Sequence, residues 1–447
     1  MKKNNKIAIL GAGESGVGAA ILAKKQGFEV FVSDRGEIKD KYKNVLKSIK
    51  VEWEEGKHTE SKILDAAEVI KSPGIPDTVA LIVKIKEQGI NVISEIEFAG
   101  RYTQAKIIGI TGSNGKTTTA MLTYHMLQKA GLNVGLAGNI GDSLAKQVAE
   151  ADKDFYVLEL SSFQLDGMYD FKVDIALILN ITPDHLDRYD NKFENYAASK
   201  MRILQNQVET DFIIYNTDDK VIVDFLNKGS FKGCQLPFSI EKELENGAFI
   251  KNEELYINTN NKLFNMTIQE LALQGRHNIY NSMASSMTGK VLELKKDIIR
   301  ESLSDFQNVE HRLENVGNVH CITFVNDSKA TNINSTWYAL ETFEGPIVWI
   351  VGGVDKGNDY EMLAELVTDR VKAIVCLGTD NEKIHEAFEG LVEEIVDADS
   401  AQEAVTHAYR LGKKGDTVLL SPACASFDLF ENYEDRGHQF KRAVKSL

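Results

Sequence analysis

The sequence predicts an α/β protein of three domains, each a mostly parallel sheet covered by helices. Three observations carry this. Short apolar runs of strand length alternate with amphipathic stretches of helical length. The alternation restarts twice, giving expected domains at residues 1–95, 96–309 and 310–447. The chain has 447 residues, and roughly 150 residues per domain gives about three.

Taken in order, Lys6 to Leu10 is an apolar run that meets the glycine-rich turn Gly11-Ala12-Gly13-Glu14-Ser15-Gly16. A helix follows to Gln26, closed by Gly27, and Glu29 to Ser33 is the next strand, ending at Asp34. The second series starts with a buried-type strand at Lys106 to Ile110. It leads into Thr111-Gly112-Ser113-Asn114-Gly115-Lys116-Thr117-Thr118 and a helix ending near Gly131. Strands at Phe155 to Leu160 and Val173 to Asn180 follow. From about Gln235 to Ile268 short β-type runs with Asn and Gly turns predict a small antiparallel excursion. The third series places strands at Cys321 to Val325, Ile347 to Val351, Ala373 to Leu377 and Thr417 to Leu420. Six prolines leave no proline-rich linker.

Composition excludes several classes. With 51 Lys+Arg against 66 Asp+Glu the net charge is -15. A general nucleic-acid binder needs a basic stripe to displace phosphate counterions, so none is expected. Cys234, Cys321, Cys376 and Cys424 form no C-x-x-C pair. They read as small core residues in a reducing compartment rather than a disulfide or zinc framework. The apolar run Ile7 to Leu10 is too short for a signal-peptide core, and no stretch approaches ~18 apolar residues. A cytoplasmic protein without membrane insertion is expected.

The segment from Thr111 to Thr118 sits between a strand and a helix, the context a phosphate-binding loop requires. Glycines let backbone N–H groups approach phosphate oxygens, and the helix N-terminus adds positive potential. Lys116 would reach the β- and γ-phosphates, and the Thr117 hydroxyl would ligate Mg²⁺. The first glycine of the longer consensus is replaced by Ile110, leaving the compact T-G-x-x-G-K-T form. This predicts a P-loop ATPase-type central domain; the plain alternative is a helix-capping turn with a solvated lysine.

Gly11-x-Gly13-x-x-Gly16, with Asp34 18 residues beyond Gly16, fits a Rossmann-like unit. Its ligand is either a nicotinamide dinucleotide or another nucleotide diphosphate, and Asp34 is placed to bond a ribose or base. The carboxyl-terminal series is Rossmann-like and doubly wound by its own alternation. Glu159, His185 and Lys200 recur at ends of central apolar runs. A carboxylate and an imidazole there suit a divalent metal beside the phosphate loop; the plain readings are a capping glutamate, a loop histidine and a surface lysine.

These segments, in this order, resemble the Mur ligase family of ATP-dependent amide-bond-forming enzymes. The resemblance runs through TGSNGKTT, GNIG, ELSSFQL, TPDHLDRY, GRHNIYN, EHR, NDSKATN, GGVDKGNDY and LLSPACASFD. It implies an ATP-dependent ligase that joins D-glutamate to UDP-N-acetylmuramoyl-L-alanine in peptidoglycan precursor synthesis. It further implies that Thr117, Glu159, His185 and Lys200 hold two Mg²⁺ ions, with Lys200 as a CO₂-derived carbamate. Lys116, His185, Lys200, Arg312 and Lys329 are the expected catalytic residues. Gly112, Ser113, Asn114, Gly115, Lys116, Thr117, Thr118, Asn278, Asn281, His311, Arg312 and Asp327 are expected around ATP. Glu14, Ser15, Asp34, Arg35, Gly74 and Asn139 are expected around the UDP-sugar. Thr331, Lys356, Ser426 and Tyr433 are expected around D-glutamate. Glu14 departs from the pattern, because an acidic side chain beside a pyrophosphate suits only a backbone contact; Tyr433 stands where the family often has Phe. A monomer is expected. Three other readings compete: a family member using a different amine, a nicotinamide oxidoreductase built on the first glycine turn, and a nucleotide-dependent switch.

Overall fold

The structure, a computed structural model, describes residues 5–259, 262–306, 310–343, 345–355 and 357–447. It has the expected three-domain α/β architecture, with one sheet per domain. The first sheet runs Glu52–Glu54, Glu29–Ser33, Lys6–Leu10, Glu68–Lys71, Asn91–Ile93, all parallel. Because the first strand of the chain lies in the middle, the connections diverge from it to both sides. That opens a crevice at its carboxyl end, where the glycine turn sits.

The second sheet has nine strands. Its parallel part is Cys234–Ser239, Phe212–Asn216, Ile175–Ile178, Lys106–Thr111, Phe155–Glu159 and Val134–Gly138, in that spatial order. Gly247–Lys251 continues it, and Glu254–Thr259 and Lys262–Thr267 add an antiparallel meander. The antiparallel excursion therefore begins later than Gln235. Helix Lys220–Lys228 precedes Cys234–Ser239 and supplies the crossover that a parallel strand needs. The third sheet runs Glu314–Val319, Ile322–Asn326, Thr417–Leu420, Ile347–Val351, Val371–Leu377, Glu394–Ala398, with only its first pair antiparallel. Trp349 fills its centre, fully buried, with the indole N–H on the Ser421 carbonyl at 2.8 Å. Among the described residues, no helix is long and apolar enough to cross a membrane.

Two compact units result. One is the chain up to Leu271 with Tyr280–Asp305; the other is Ala272–Ile279 with Phe306–Leu447. The first unit joins the first two sheets through helix packing and two buried carboxylates. Helix Glu14–Lys25 lies against helix Leu144–Ala151, so close at Gly18 that a Cβ there would overlap the Ser143 side chain. Helix Glu95–Gly100 supplies the carboxylates. Glu97 accepts the N–H groups of Tyr169, Asp170 and Phe171 at 2.9, 3.2 and 3.0 Å. Glu95 accepts the Ser143 hydroxyl and the Ala145 N–H, both at 2.6 Å. Burial pushes the Glu95 carboxyl up to about 7, and the negative charge of Glu14 adds to this against those two hydrogen bonds.

All four cysteines are free. Cys376 and Cys424 are core residues as expected, and burial pushes their thiols up to about 12 and about 11. Cys234 and Cys321 are exposed, the latter in a tight turn at φ 67° between antiparallel strands.

A carboxyl raised on folding binds its proton more tightly in the native state. Its contribution to stability is therefore present below the unfolded value near 4.5 and lost as pH rises through about 7. Glu95→Gln keeps the acceptor without the charge. We expect the variant to exceed the parent in stability by about 2–3 kcal/mol above pH 7, with the difference shrinking toward pH 5. Urea unfolding of the first unit at both pH values measures it.

Candidate active site

The central strand Lys106–Thr111 is flanked by Phe155–Glu159 and Ile175–Ile178, and its loop emerges between their carboxyl ends. Gly112 and Gly115 both have positive φ, 156° and 82°, which glycine adopts without strain. A Cβ on Gly115 would also collide with the Asn281 carboxamide. The loop is tied to its neighbour by Ser113 N–H to the Asn180 carbonyl at 2.8 Å and Asn114 N–H to the Asn180 side chain at 2.8 Å. The Ser113 hydroxyl donates to the Thr182 carbonyl at 2.9 Å. Helix Lys116–Lys129 then starts with its N-terminus at the loop.

Around this loop the charged residues assemble in two groups. The Thr117 hydroxyl donates to Glu159 Oε2 at 2.8 Å, and Asn139 Nδ2 donates to Glu159 Oε1 at 2.9 Å. Glu159 and Thr117 are buried. Gly138 makes this possible, since a Cβ there would strike the Glu159 carbonyl. In the second group, Lys116 and Lys200 both donate to the Gly112 carbonyl, at 2.8 and 2.7 Å. Lys200 is 2% exposed and stands 4.6 Å from the Tyr196 ring centroid. Its amine is held well below the ordinary lysine value, first by burial and next by the Lys116 charge. The surface-lysine alternative for Lys200 is therefore wrong.

His185 adopts the left-handed conformation at φ 51°, a strain of about 1–2 kcal/mol for a residue with a Cβ. Its N–H is held by Asp184 Oδ1 at 2.9 Å, and its ring meets Phe163 edge-on at 5.2 Å. The donor set suits a hard divalent cation: Thr117 and Glu159 offer neutral and anionic oxygens side by side. An ammonium at Lys200 cannot ligate a cation and would have to be converted to an anionic form.

In the first sheet, Gly11 has φ 94°, and a Cβ on Gly16 would overlap the Gly11 carbonyl. A Cβ on Gly13 or Gly74 meets nothing within 4 Å, so the space before helix Glu14–Lys25 is open. Asp34 takes up the loop: it accepts Ala12 N–H at 2.7 Å and Gly36 N–H at 2.8 Å. The Glu14 carboxylate accepts the Tyr42 hydroxyl at 3.2 Å, which accounts for an acidic residue at the turn. Ser15 is the second residue of the helix, and Arg35 and Asn139 are exposed at strand ends.

In the second unit His311 has φ 64°, is buried, and meets the Asn326 amide at 2.9 Å. Asp327, also buried, accepts the Ser421 hydroxyl at 3.0 Å and the Leu313 N–H at 3.2 Å. Burial pushes its carboxyl up to about 6 while the Arg312 charge opposes the shift. Lys329 lies 5.3 Å from the Tyr433 ring centroid, and the Ser328 hydroxyl donates to the Tyr433 carbonyl at 2.8 Å. Ser426 is buried and Thr331 half-buried. Lys356 lies outside the described residues. Asn278 and Asn281 are buried on helix Arg276–Val291; Asn281 accepts the Thr119 hydroxyl at 3.1 Å, and Asn278 donates to Gln274.

Sequence reasoning missed Arg436. Its side chain is fully buried, with Nε on the Ser328 hydroxyl at 3.0 Å and Nη2 on the Ser328 and Cys424 carbonyls at 2.9 and 3.2 Å. It also missed Tyr196, which meets the Ser113 hydroxyl at 3.1 Å, and Asn180. An asparagine closing the apolar run before Thr182 was the available signal for Asn180.

Comparison with known proteins places these features in a family. The sequence matches the Mur ligase middle domain over residues 110–289, the glutamate ligase domain of Mur ligases over 311–424 and the MurD N-terminal domain over 6–80. It is 61% identical over 442 residues to the UDP-N-acetylmuramoylalanine--D-glutamate ligase of Christiangramia forsetii, covering 99% of both chains. It is 56% identical over 443 residues to the enzyme of that name from Bacteroides fragilis, covering 99% of this chain and 100% of the other. Among solved structures it resembles UDP-N-acetylmuramate-alanine ligase MurC of Thermotoga maritima, with TM-score 0.63, 18% identity and 99% of both chains covered. MurF ligase of the same organism, solved in complex with ADP, matches with TM-score 0.61 and 18% identity over 86% of this chain and 91% of that one.

Gly115→Ala tests the loop geometry. It adds about 1–2 kcal/mol of backbone strain and pushes Asn281 aside. We expect affinity for a fluorescent ATP analogue to fall at least ~10-fold, while Gly131→Ala, at the far end of the same helix, leaves it unchanged.

Proposed function

The chain belongs to the Mur ligase family, and we infer that it is an ATP-dependent ligase joining D-glutamate to UDP-N-acetylmuramoyl-L-alanine in peptidoglycan synthesis. The observation that carries the chemistry is the phosphate loop meeting a buried Glu159 and a buried Lys200, whose amine is held below its ordinary value, at the carboxyl end of the central strands.

A carboxylate is a poor electrophile, because its charge repels a nucleophile and oxide is no leaving group. The reaction therefore first moves the γ-phosphoryl of ATP to the alanyl carboxylate. The amine of D-glutamate attacks the acyl phosphate, and a tetrahedral intermediate collapses to the amide with loss of phosphate. Lys116 neutralises charge on the phosphoryl oxygens as they transfer. Backbone N–H groups of Gly112 to Thr118 cradle the phosphates at the helix N-terminus. Thr117 and Glu159 would hold one Mg²⁺, and His185 with Lys200 a second; bound there, the ions supply charge neutralisation.

Lys200 serves in this reading as a carbamate. Burial and the Lys116 charge both favour the neutral form of its amine, and a neutral amine adds to CO₂ with loss of one proton. The product is an anionic oxygen ligand that also relieves the like-charge contact with Lys116. His185 is held ready by Asp184 and Phe163.

Beside the first sheet Gly74, Ser15 and Arg35, together with Asn139 from the second sheet, would hold the UDP-sugar. Asp34 would keep the glycine turn shaped while facing the base, and Glu14 would contribute backbone only. Asn278, Asn281, His311, Arg312 and Asp327 would surround the adenosine and phosphates, and Lys329 would complete the charge around them. Thr331, Lys356, Ser426 and Tyr433 would hold the carboxylates of D-glutamate. We propose that the chain acts as a monomer in the cytoplasm, where ATP and UDP-linked precursors are made.

Phosphate release from ATP and Mg²⁺ with UDP-N-acetylmuramoyl-L-alanine tests the assignment when only the amine is varied. D-glutamate alone among D-glutamate, L-glutamate, L-alanine, L-lysine and meso-diaminopimelate is expected to stimulate it; stimulation by another amine overturns the specificity. Lys200→Ala is expected to lose at least ~100-fold in rate, about 2.7 kcal/mol, and to recover part of it in saturating acetate. Absence of recovery would count against the carbamate.

A further inference from the structure

Arg188 stands between the two substrate regions of the first unit and touches both. Its backbone N–H donates to the His185 carbonyl at 3.0 Å, closing the turn that holds His185 at positive φ. Its guanidinium lies over the Phe163 ring, 4.4 Å from the centroid, and the same ring meets the His185 imidazole edge-on at 5.2 Å. A guanidinium on an aromatic face fixes that ring's orientation, so Arg188 acts on His185 by two routes.

The other end of the side chain reaches across to the first sheet. Nη1 points at the Gly74 carbonyl at 3.4 Å and Nη2 at the Pro73 carbonyl at 3.5 Å. These are long for N–H···O bonds, whose ordinary range ends near ~3.2 Å. The guanidinium also lines a cleft of about 440 Å³ with Lys71, Pro73, Asp77, Phe163 and Tyr189, so it has room to move. A shift of a few tenths of an ångström turns both approaches into full hydrogen bonds. The planar, two-pronged donor suits two successive carbonyls in a way that an ammonium does not.

We propose that Arg188 is a positioning residue that couples occupation of the Gly74 loop by the UDP-sugar to the placement of His185 beside the phosphate loop. The inference rests on the reading of Gly74 as part of the UDP-sugar cradle and of His185 as a metal ligand. A ligand that draws residues 73–74 toward the crevice pulls the guanidinium, with Phe163 and the turn at His185 following. Because coupling between two binding events is reciprocal, the metal-loaded nucleotide must tighten the UDP-sugar by the same factor.

Calorimetric titration of UDP-N-acetylmuramoyl-L-alanine into the full chain, with and without Mg²⁺ plus a non-hydrolysable ATP analogue, measures that factor. The parent protein is expected to bind ~5- to ~150-fold more tightly with the nucleotide present, the usual span for coupled sites. Arg188→Ala is expected to show one affinity in both conditions, equal to the weaker value of the parent. Arg188→Lys keeps a cation over Phe163 and the fold, yet cannot span two carbonyls, and is expected to lose the coupling as well. A purely structural role would weaken both conditions together and leave the ratio. Retention of the parental ratio by Arg188→Ala, or no difference in the parent, overturns the proposal. Failure of the parent to bind the UDP-sugar in either condition overturns the reading of the cradle, and the coupling with it.

Discussion

Two ammonium groups donate to a single carbonyl oxygen, that of Gly112, and the central domain is arranged around this crowding. Lys116 is fixed there by the phosphate loop and the helix it begins. Lys200 arrives from helix Phe193–Met201, buried to 2% exposure and roofed by Tyr196. Two like charges in a low-dielectric setting are costly, and the carboxylates that favour the charged lysine, Asp184 first and then Glu159 and Asp166, offset the cost only partly. The remaining imbalance disfavours the charged form of Lys200.

The same economy of buried charge joins the first two sheets. Glu97 gathers three successive backbone N–H groups, and Glu95 anchors the first turn of helix Leu144–Ala151. Helix Glu95–Gly100 thus holds the end of the first sheet against the segment that carries Asn139. Arg188 makes a third link, from the turn of His185 to Pro73 and Gly74. The glycine turn of the first sheet and the loop of the second are separate in sequence but share a small set of polar ties.

Much of this was legible in the sequence, for physical reasons that differ by element. Lys6–Leu10 and Lys106–Thr111 are central strands, apolar on both faces, and each ends in glycines that a helix must follow. Val134–Gly138 escaped notice because its two glycines dilute the apolar signal, although Gly138 is there to admit Glu159. Phe212–Asn216 was hidden by polar flanks that read as turn. Glu95, Glu97 and Arg436 were invisible as site builders, since their partners lie tens to a hundred residues away and no local spacing announces them. Glu159, His185 and Lys200 were recognisable only through a family pattern; taken singly, each has an ordinary explanation.

The distribution of thiols has a practical side. Cys376 and Cys424 are shielded and hard to ionise, whereas Cys234 and Cys321 are open to solvent. Cys234 belongs to the first compact unit and Cys321 to the second. Nature has left one accessible attachment point on each body, so maleimide dyes can be placed on the unaltered protein, and energy transfer between them can follow the two bodies in solution through a catalytic cycle.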